Sequence, residues 1–138
     1  MVAVQVQHYL ERARDFFKGM DLLKDDLKGY RYSSALLGIH SAISYCDALR
    51  LGMGSESLSS DDHMSAAREL RTLLASRKFE KRQGADRLEK LLRFKRRVAY
   101  ASDGSSLDFN QIVQQAARFA AWAEDAGKSL RIEGWRND

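Results

Sequence analysis

The stretch YRYSSALLGIHSAISYCDALRL, residues 30–51, decides the fold. Its apolar side chains point to nearly every side of a helix, and the alanine, serine and glycine residues between them allow neighbouring helices to approach closely. A helix of a soluble chain that is apolar all round is a buried helix. We therefore predict that residues 30–51 form the central helix of a bundle, covered on at least two sides.

Four further segments carry apolar residues at the spacings typical of amphipathic helices. They are residues 2–27, 61–76, 85–101 and 106–130. Proline is absent, so long straight helices are unobstructed, and no run of alternating apolar and polar residues predicts a strand. The predicted fold class is all-α: an up-down bundle of four to five helices that forms a single domain over residues 1–138.

Glycine, serine and aspartate mark the connections between these segments. Ser59 or Ser60 is the expected N-cap of the third helix, and Ser106 or Asp108 is the expected N-cap of the fifth. The predicted loops are residues 52–60, 77–84 and 103–106, and a flexible tail is expected from about residue 133.

The composition is that of an ordinary soluble globular protein, with 44% hydrophobic and 30% charged residues. Cys46, the single cysteine, lies among apolar neighbours, which predicts a buried, reduced thiol in a cytoplasmic protein. The first residues lack the basic start and apolar run of a targeting segment. No window reaches the ~18 apolar residues of a membrane span. We expect a cytoplasmic protein without a membrane partner.

The net charge of +4 is unevenly distributed. Residues 77–97 carry +7, whereas the remainder of the chain carries −3. Within the predicted fourth helix, Arg93, Arg96 and Arg97 share one side with Tyr100. Such a side attracts phosphate with salt-dependent affinity, and an aromatic ring beside it can stack on a base. The same pattern is typical of a solvated helix face, and it also fits an acidic protein partner.

Two further residues are candidates for a groove between helices. Asp47 lies on the apolar central helix and needs a partner, for which Arg50 is well spaced; it is interpreted as a structural acid that alternatively lines a groove. His63 follows two aspartates, and residues 61–63 are interpreted as a helix cap rather than a metal site, because no two histidines have helical ligand spacing. We expect no metal and no cofactor.

Three pieces of the chain, taken in order, resemble the HEPN domain, a helical bundle found in many prokaryotic proteins. They are QHYLERARDFFKGM (7–20), SSALLGIHSAISYCDALRLGMGSESLSSDDHMSAARELRTLL (33–74) and LEKLLRFKRRVAYASDGSSLDFNQIVQQAARFAAWAE (88–124). The resemblance covers roughly residues 5–130. It implies a helical bundle that is usually a homodimer and, in many members, a metal-independent ribonuclease that often acts as a toxin of a toxin–antitoxin pair.

The ribonucleases of that family carry an Arg-x(4–6)-His motif near the end of the basic helix. Counted from Arg93, Arg96 and Arg97, the histidine positions fall on residues 98–104, and none of these is a histidine. No histidine follows His63. The resemblance therefore favours the members that lack the motif and bind nucleotides or proteins, some of them beside a nucleotidyltransferase partner.

Three functions remain open at this point. The first is a non-catalytic module that binds a nucleotide, an RNA phosphate or a partner protein. Its predicted contact residues are Arg93, Arg96, Arg97 and Tyr100, with Asp47 and His63 lining a groove. The second is a ribonuclease of altered constellation, in which the fold brings His63 or His40 to the basic helix. The third is a structural interaction subunit.

Overall fold

The structure, a computed structural model, describes residues 2–56, 58, 62–100 and 107–137. Within these residues it contains five α-helices, one short 3-10 turn and no strand. The helices are α1 (Val2–Leu23), α2 (Leu27–Gly52), α3 (His63–Ser76), α4 (Gln83–Tyr100) and α5 (Phe109–Ser129). The predicted all-α bundle of four to five helices is confirmed.

The central helix of the bundle is α2, as its apolar circumference predicts. A Cβ placed on Gly38 would lie 2.5 Å from the sulfur of Met20 on α1 and 2.8 Å from the Cβ of Ala116 on α5, so both helices pack closely against its backbone. The hydroxyl of Ser41 donates a hydrogen bond of 2.8 Å to the carbonyl oxygen of Ala13. The small residues of the stretch therefore set the spacing of its neighbours.

The chain reverses direction at every connection except the one from α2 to α3. Cys46 of α2 contacts the carbonyl oxygen of Ala66 at 3.8 Å, and Arg50, one turn further along, pairs with Glu69 at 2.8 Å. Contacts that advance together along both helices show that α3 runs in the same sense as α2. The start of α3 consequently lies beside the middle of α2.

Two helix boundaries near the first connection differ from the prediction. α1 ends at Leu23, and a 3-10 turn, Lys24–Asp26, follows it. The side chain of Asp26 caps α2 by accepting a hydrogen bond of 3.2 Å from the backbone N–H of Gly29. Gly29 thus lies in the first turn of α2, and the helix kinks at Tyr30.

Aspartates, rather than serines, cap α3 and α5. Asp108 accepts a hydrogen bond of 3.0 Å from the backbone N–H of Gln111, as one of the two predicted alternatives requires. Asp62 caps α3 in place of the predicted serines. The predicted caps Ser59, Ser60 and Ser106, the turn over residues 103–106 and the predicted helix end at residue 101 lie outside the described residues.

The chain after α5 folds back onto the bundle, although a flexible tail was predicted from about residue 133. Ile132, just before that segment, is buried, and the ring of Trp135 stacks on Tyr45 with 6.4 Å between the centroids. A Cβ on Gly127 would overlap the indole of Trp135, so a glycine makes room for it. Trp135 therefore packs on the bundle, a contact that the polar residues around it in the sequence did not indicate.

None of the helices in the described part of the chain is both long enough and apolar enough to cross a membrane.

Candidate functional site

The basic residues near the end of α4 extend from its exposed face to the edge of its buried side. Arg93, Arg96, Arg97 and Tyr100 are exposed and follow one another at helical spacings of three and four, so they share one face of the helix. Arg96 also lies four positions after the buried Leu92, and Lys95 lies three positions after it, so these two residues border the buried side. At the outer edge of the face, the guanidinium carbon of Arg97 lies 5.8 Å from the ring centroid of Phe94.

The inner side of α4 borders an open cleft of about 780 Å³ against the start of α3, which we call the α3–α4 cleft. Its lining residues are Asp62, His63, Met64, Leu92, Lys95, Arg96 and Tyr100. The structure thus brings the predicted residues His63, Arg96 and Tyr100 together and leaves Arg93 and Arg97 outside. Lys95 was missed as a site residue, although its spacing from the apolar Leu92 is a signal that places it at the edge of the buried side.

The two cationic residues of the cleft have no acidic partner in the ranges that the structure describes. No carboxylate there lies within ion-pair distance of Lys95 or Arg96. The acidic residues of α4 itself, Asp86 and Glu89, both pair with Arg71 of α3, the second at 2.9 Å. The positive charge at the end of α4 therefore remains available to a ligand.

Backbone N–H groups in the first turn of α3 are already hydrogen-bonded to the N-cap residue of that helix. The carboxylate of Asp62 accepts hydrogen bonds from the backbone N–H groups of Met64 and Ser65, at 3.0 and 3.2 Å, and from the Ser65 hydroxyl at 2.6 Å. These bonds, with the Ser65 hydroxyl first, lower the pKa of Asp62. An anion in the cleft would therefore be held by the side chains of α4 and not by the helix terminus.

His40 lies beside this cleft on the half-buried side of α2. Its ring centroid is 5.8 Å from that of Phe16 on α1. Burial lowers the pKa of His40, and the nearby charges of Lys95 and His63 lower it further. The fold thus brings His40, His63 and the basic end of α4 close enough for their charges to interact, and His40 is predominantly neutral at neutral pH.

Asp47 lies two turns further along the same side of α2. Its carboxylate pairs with Arg50 at 3.0 Å, and Arg50, which is buried, also pairs with Glu69 at 2.8 Å. Burial raises the pKa of Asp47, while Arg50 opposes that shift. The structure therefore contains the predicted ion pair with Arg50. Asp47 also borders a narrow internal gap shared with His63, which keeps its second role as a groove residue open.

Metal and thiol chemistry have little support in the described residues. Among them, no group of three or more histidine, cysteine, aspartate and glutamate side chains is arranged to hold a metal ion. Cys46 is buried, and burial raises the pKa of its thiol far above the usual range. A protonated thiol without access to solvent is a poor nucleophile.

Comparison of the chain with protein-family models, curated proteins and solved structures returned no match.

Proposed function

We propose that this protein is a non-catalytic HEPN-like module that binds a nucleotide or a single strand of RNA by its phosphate in the α3–α4 cleft. The observation that carries the proposal is the pair Lys95 and Arg96, two cations in a cleft that lack acidic partners in the described ranges. Tyr100, which is 82% exposed, lies beside them and offers a ring for stacking.

A phosphate fits this cleft better than an apolar partner surface does. Interfaces between proteins gain most of their binding energy from buried apolar and aromatic anchors. The cleft instead has Asp62, Lys95 and Arg96 beside the smaller apolar contribution of Met64 and Leu92, and it contains one exposed aromatic residue among its described lining. A partner protein, such as a nucleotidyltransferase, remains the alternative that the family resemblance implies, and the third possibility is a structural subunit without a ligand.

The test compares two double variants that remove the same charge from the same helix. Lys95→Ala/Arg96→Ala removes both cations that line the α3–α4 cleft, whereas Arg93→Ala/Arg97→Ala removes two cations of α4 that do not line it. We expect the first pair to weaken binding of a fluorescein-labelled single-stranded RNA by about tenfold or more, measured by fluorescence anisotropy. Two lost phosphate contacts should also reduce the slope of log K against log salt by about 1.4.

The control pair should weaken binding only slightly, because its charges act on the RNA through solvent. Equal losses in both pairs would show that the net charge of α4, and not the cleft, attracts the RNA. Salt-insensitive binding by the wild type would contradict the proposal as a whole.

A metal-independent ribonuclease is the second candidate, favoured by the position of two histidines beside the basic residues. A neutral His40 would accept the proton of a ribose 2′-hydroxyl, whose oxygen attacks the phosphorus. The P–O5′ bond then breaks, and His63 donates a proton to the leaving 5′-oxygen. The products are a 2′,3′-cyclic phosphate and a 5′-hydroxyl, and Lys95 and Arg96 would stabilise the charge of the transition state.

Incubation of RNA with the purified protein and a chelator separates the two candidates. Cleavage that is lost in His40→Ala and His63→Ala but retained in Arg118→Ala would favour the enzyme, because Arg118 is exposed on α5 and does not line the α3–α4 cleft. Intact RNA with the wild type, under conditions in which the RNA is bound, would favour the binding module.

A further inference from the structure

The antiparallel packing of α1 on α2 sets Tyr9 opposite Asp47. A Cβ on Gly19 would lie 3.0 Å from Leu37, and the rings of Phe16 and His40 lie 5.8 Å apart. These pairs fix the register of the two helices. Tyr9 lies two turns before Phe16 on α1, and Asp47 lies two turns after His40 on α2. Because the helices are antiparallel, this register places Tyr9 level with Asp47.

A second cavity, of about 570 Å³, lies at this level on the α1 side of α2, and we call it the α1–α2 pocket. Its lining includes Gln5, His8, Tyr9, Arg12, Leu51 and Glu56. The guanidinium carbon of Arg12 is 5.4 Å from the ring centroid of Tyr9. An arginine held against an aromatic ring presents its other face to solvent as a cationic platform on which a nucleobase can stack.

Asp47 lies between the α1–α2 pocket and the α3–α4 cleft. Its carboxyl group is close enough to His63 on one side and to Arg12 on the other for both charges to act on it. His40 and Asp47 lie on the same side of α2, and both are only partly buried. The charges of residues from both cavities therefore act on a single carboxylate, which itself lines neither cavity.

We propose that Tyr9 and Arg12 form a base-stacking subsite that continues the α3–α4 cleft across α2, so that the ligand is a single-stranded ribonucleotide chain. This inference rests on the proposed function. A phosphate lies at Lys95 and Arg96, and a base of the same strand stacks on Arg12. Asp47 accepts a hydrogen bond from a ribose hydroxyl or a base amino group between them.

The charges of the two cavities favour a nucleotide chain over a phosphate chain. Asp47 and Glu56 are carboxylates, which repel a run of phosphates but accept hydrogen bonds from hydroxyl and amino groups. A cationic end, an accepting middle and a stacking platform together match the order of phosphate, sugar and base in a nucleotide.

The experiment uses hexa-adenylate and an abasic ribose–phosphate hexamer of equal charge, both fluorescently labelled, with the full-length protein. The wild type should bind hexa-adenylate at least tenfold more tightly than the abasic hexamer, because each base stacked on Arg12 or on Tyr100 contributes a factor of about this size. Arg12→Lys keeps the charge and loses the planar platform. It should lower the ratio of the two affinities about tenfold while leaving the affinity for the abasic hexamer unchanged, since stacking on Tyr100 is retained.

Arg118→Lys on the exposed side of α5 is the matched control and should preserve the ratio. Equal binding of both hexamers by the wild type, or a ratio in Arg12→Lys equal to that of the wild type, would overturn the subsite and leave the phosphate cleft intact. Binding of neither hexamer by the wild type would overturn the proposed function itself, so the two failures are distinguishable.

Discussion

Arg14 on one side of the bundle and Arg96 on the other lie in opposite electrostatic surroundings. Arg14 of α1 donates two hydrogen bonds of 2.7 Å to the carboxylate of Glu124 on α5, which also accepts one of 2.7 Å from the hydroxyl of Tyr45. Arg96 and its neighbour Lys95 have no such carboxylate within the described ranges. Both sides combine cations with an aromatic ring, and among the residues that the structure describes only the cation of the first side, Arg14, is paired with a carboxylate.

The difference indicates which cations stabilise the fold and which are available to a ligand. The Arg14–Glu124 pair is mostly buried, and its geometry is bidentate, which is the arrangement in which an ion pair contributes most. Burial alone would raise the pKa of Glu124, but the bonds from Arg14 and Tyr45 hold it below the usual value. We expect substitutions there to change stability and substitutions in the α3–α4 cleft to change binding.

The largest expected effect is the loss of stability in Glu124→Ala. The substitution leaves Arg14 and the Tyr45 hydroxyl, both partly or wholly buried, without their shared acceptor. We expect the free energy of unfolding to fall by about 2–3 kcal/mol, measured by urea denaturation. RNA binding by the folded protein should remain unchanged, since the residue lies away from the α3–α4 cleft.

Asp125→Ala is the matched control for this comparison. Asp125 is the next residue of α5, and its pair with Lys81 is long, at 3.8 Å, and exposed. We expect a change below about 0.5 kcal/mol, as for most exposed ion pairs. A loss of similar size in both variants would mean that the Arg14 network is no more stabilising than a surface contact.

The sequence predicted the bundle because its signals lie within single helices. The apolar circumference of residues 30–51 and the cap at Asp108 each depend on spacings of a few residues along one helix. The α3–α4 cleft instead depends on where α3 starts relative to α2 and α4, and that position follows from an unexpected parallel connection. His63 and Arg96 could therefore be named as candidates from the sequence, whereas their proximity could not be predicted.

The same limit explains why Arg12, the proposed stacking residue, and Trp135 were missed. The level at which Arg12 meets Asp47 follows from the register between α1 and α2, which Gly19, Gly38 and the serines of α2 set through packing. Trp135 was assigned to a tail because the space that Gly127 leaves for its indole exists only once α5 is folded. Contacts between helices, rather than patterns within them, account for each omission.

An intermediate effect is expected from His40→Gln, which tests whether His40 is partly buried beside the cations of the α3–α4 cleft. Its pKa is lowered in the folded protein by burial, Lys95 and His63, whereas in the unfolded chain it has its usual value of about 6.5. Below that pH the unfolded state binds a proton that the folded state refuses, so the wild type loses stability as the pH falls.

We expect the glutamine variant to lack this term, so that its stability relative to wild type improves by up to about 1 kcal/mol between about pH 7.5 and pH 5.5. Denaturation midpoints at several pH values measure the difference, in which the carboxyl groups common to both proteins cancel. Lys95→Met should reduce the pH dependence in part, because it removes one of the charges that face His40. Parallel pH profiles of wild type and His40→Gln would show that the imidazole is not desolvated beside the cleft.

The smallest expected effect concerns Asp62, the one acid among the described residues that line the α3–α4 cleft. Asp62→Asn keeps the cap of α3, because asparagine caps a helix about as well as aspartate, and removes a negative charge from the cleft lining. We expect RNA to bind about two- to threefold more tightly at low salt, since an exposed charge acts on a nearby phosphate through high-dielectric solvent. The gain should vanish at high salt. Asp26→Asn, an equivalent change at the cap of α2, should leave the affinity unchanged, and an equal gain in both variants would show that the RNA responds to net charge alone.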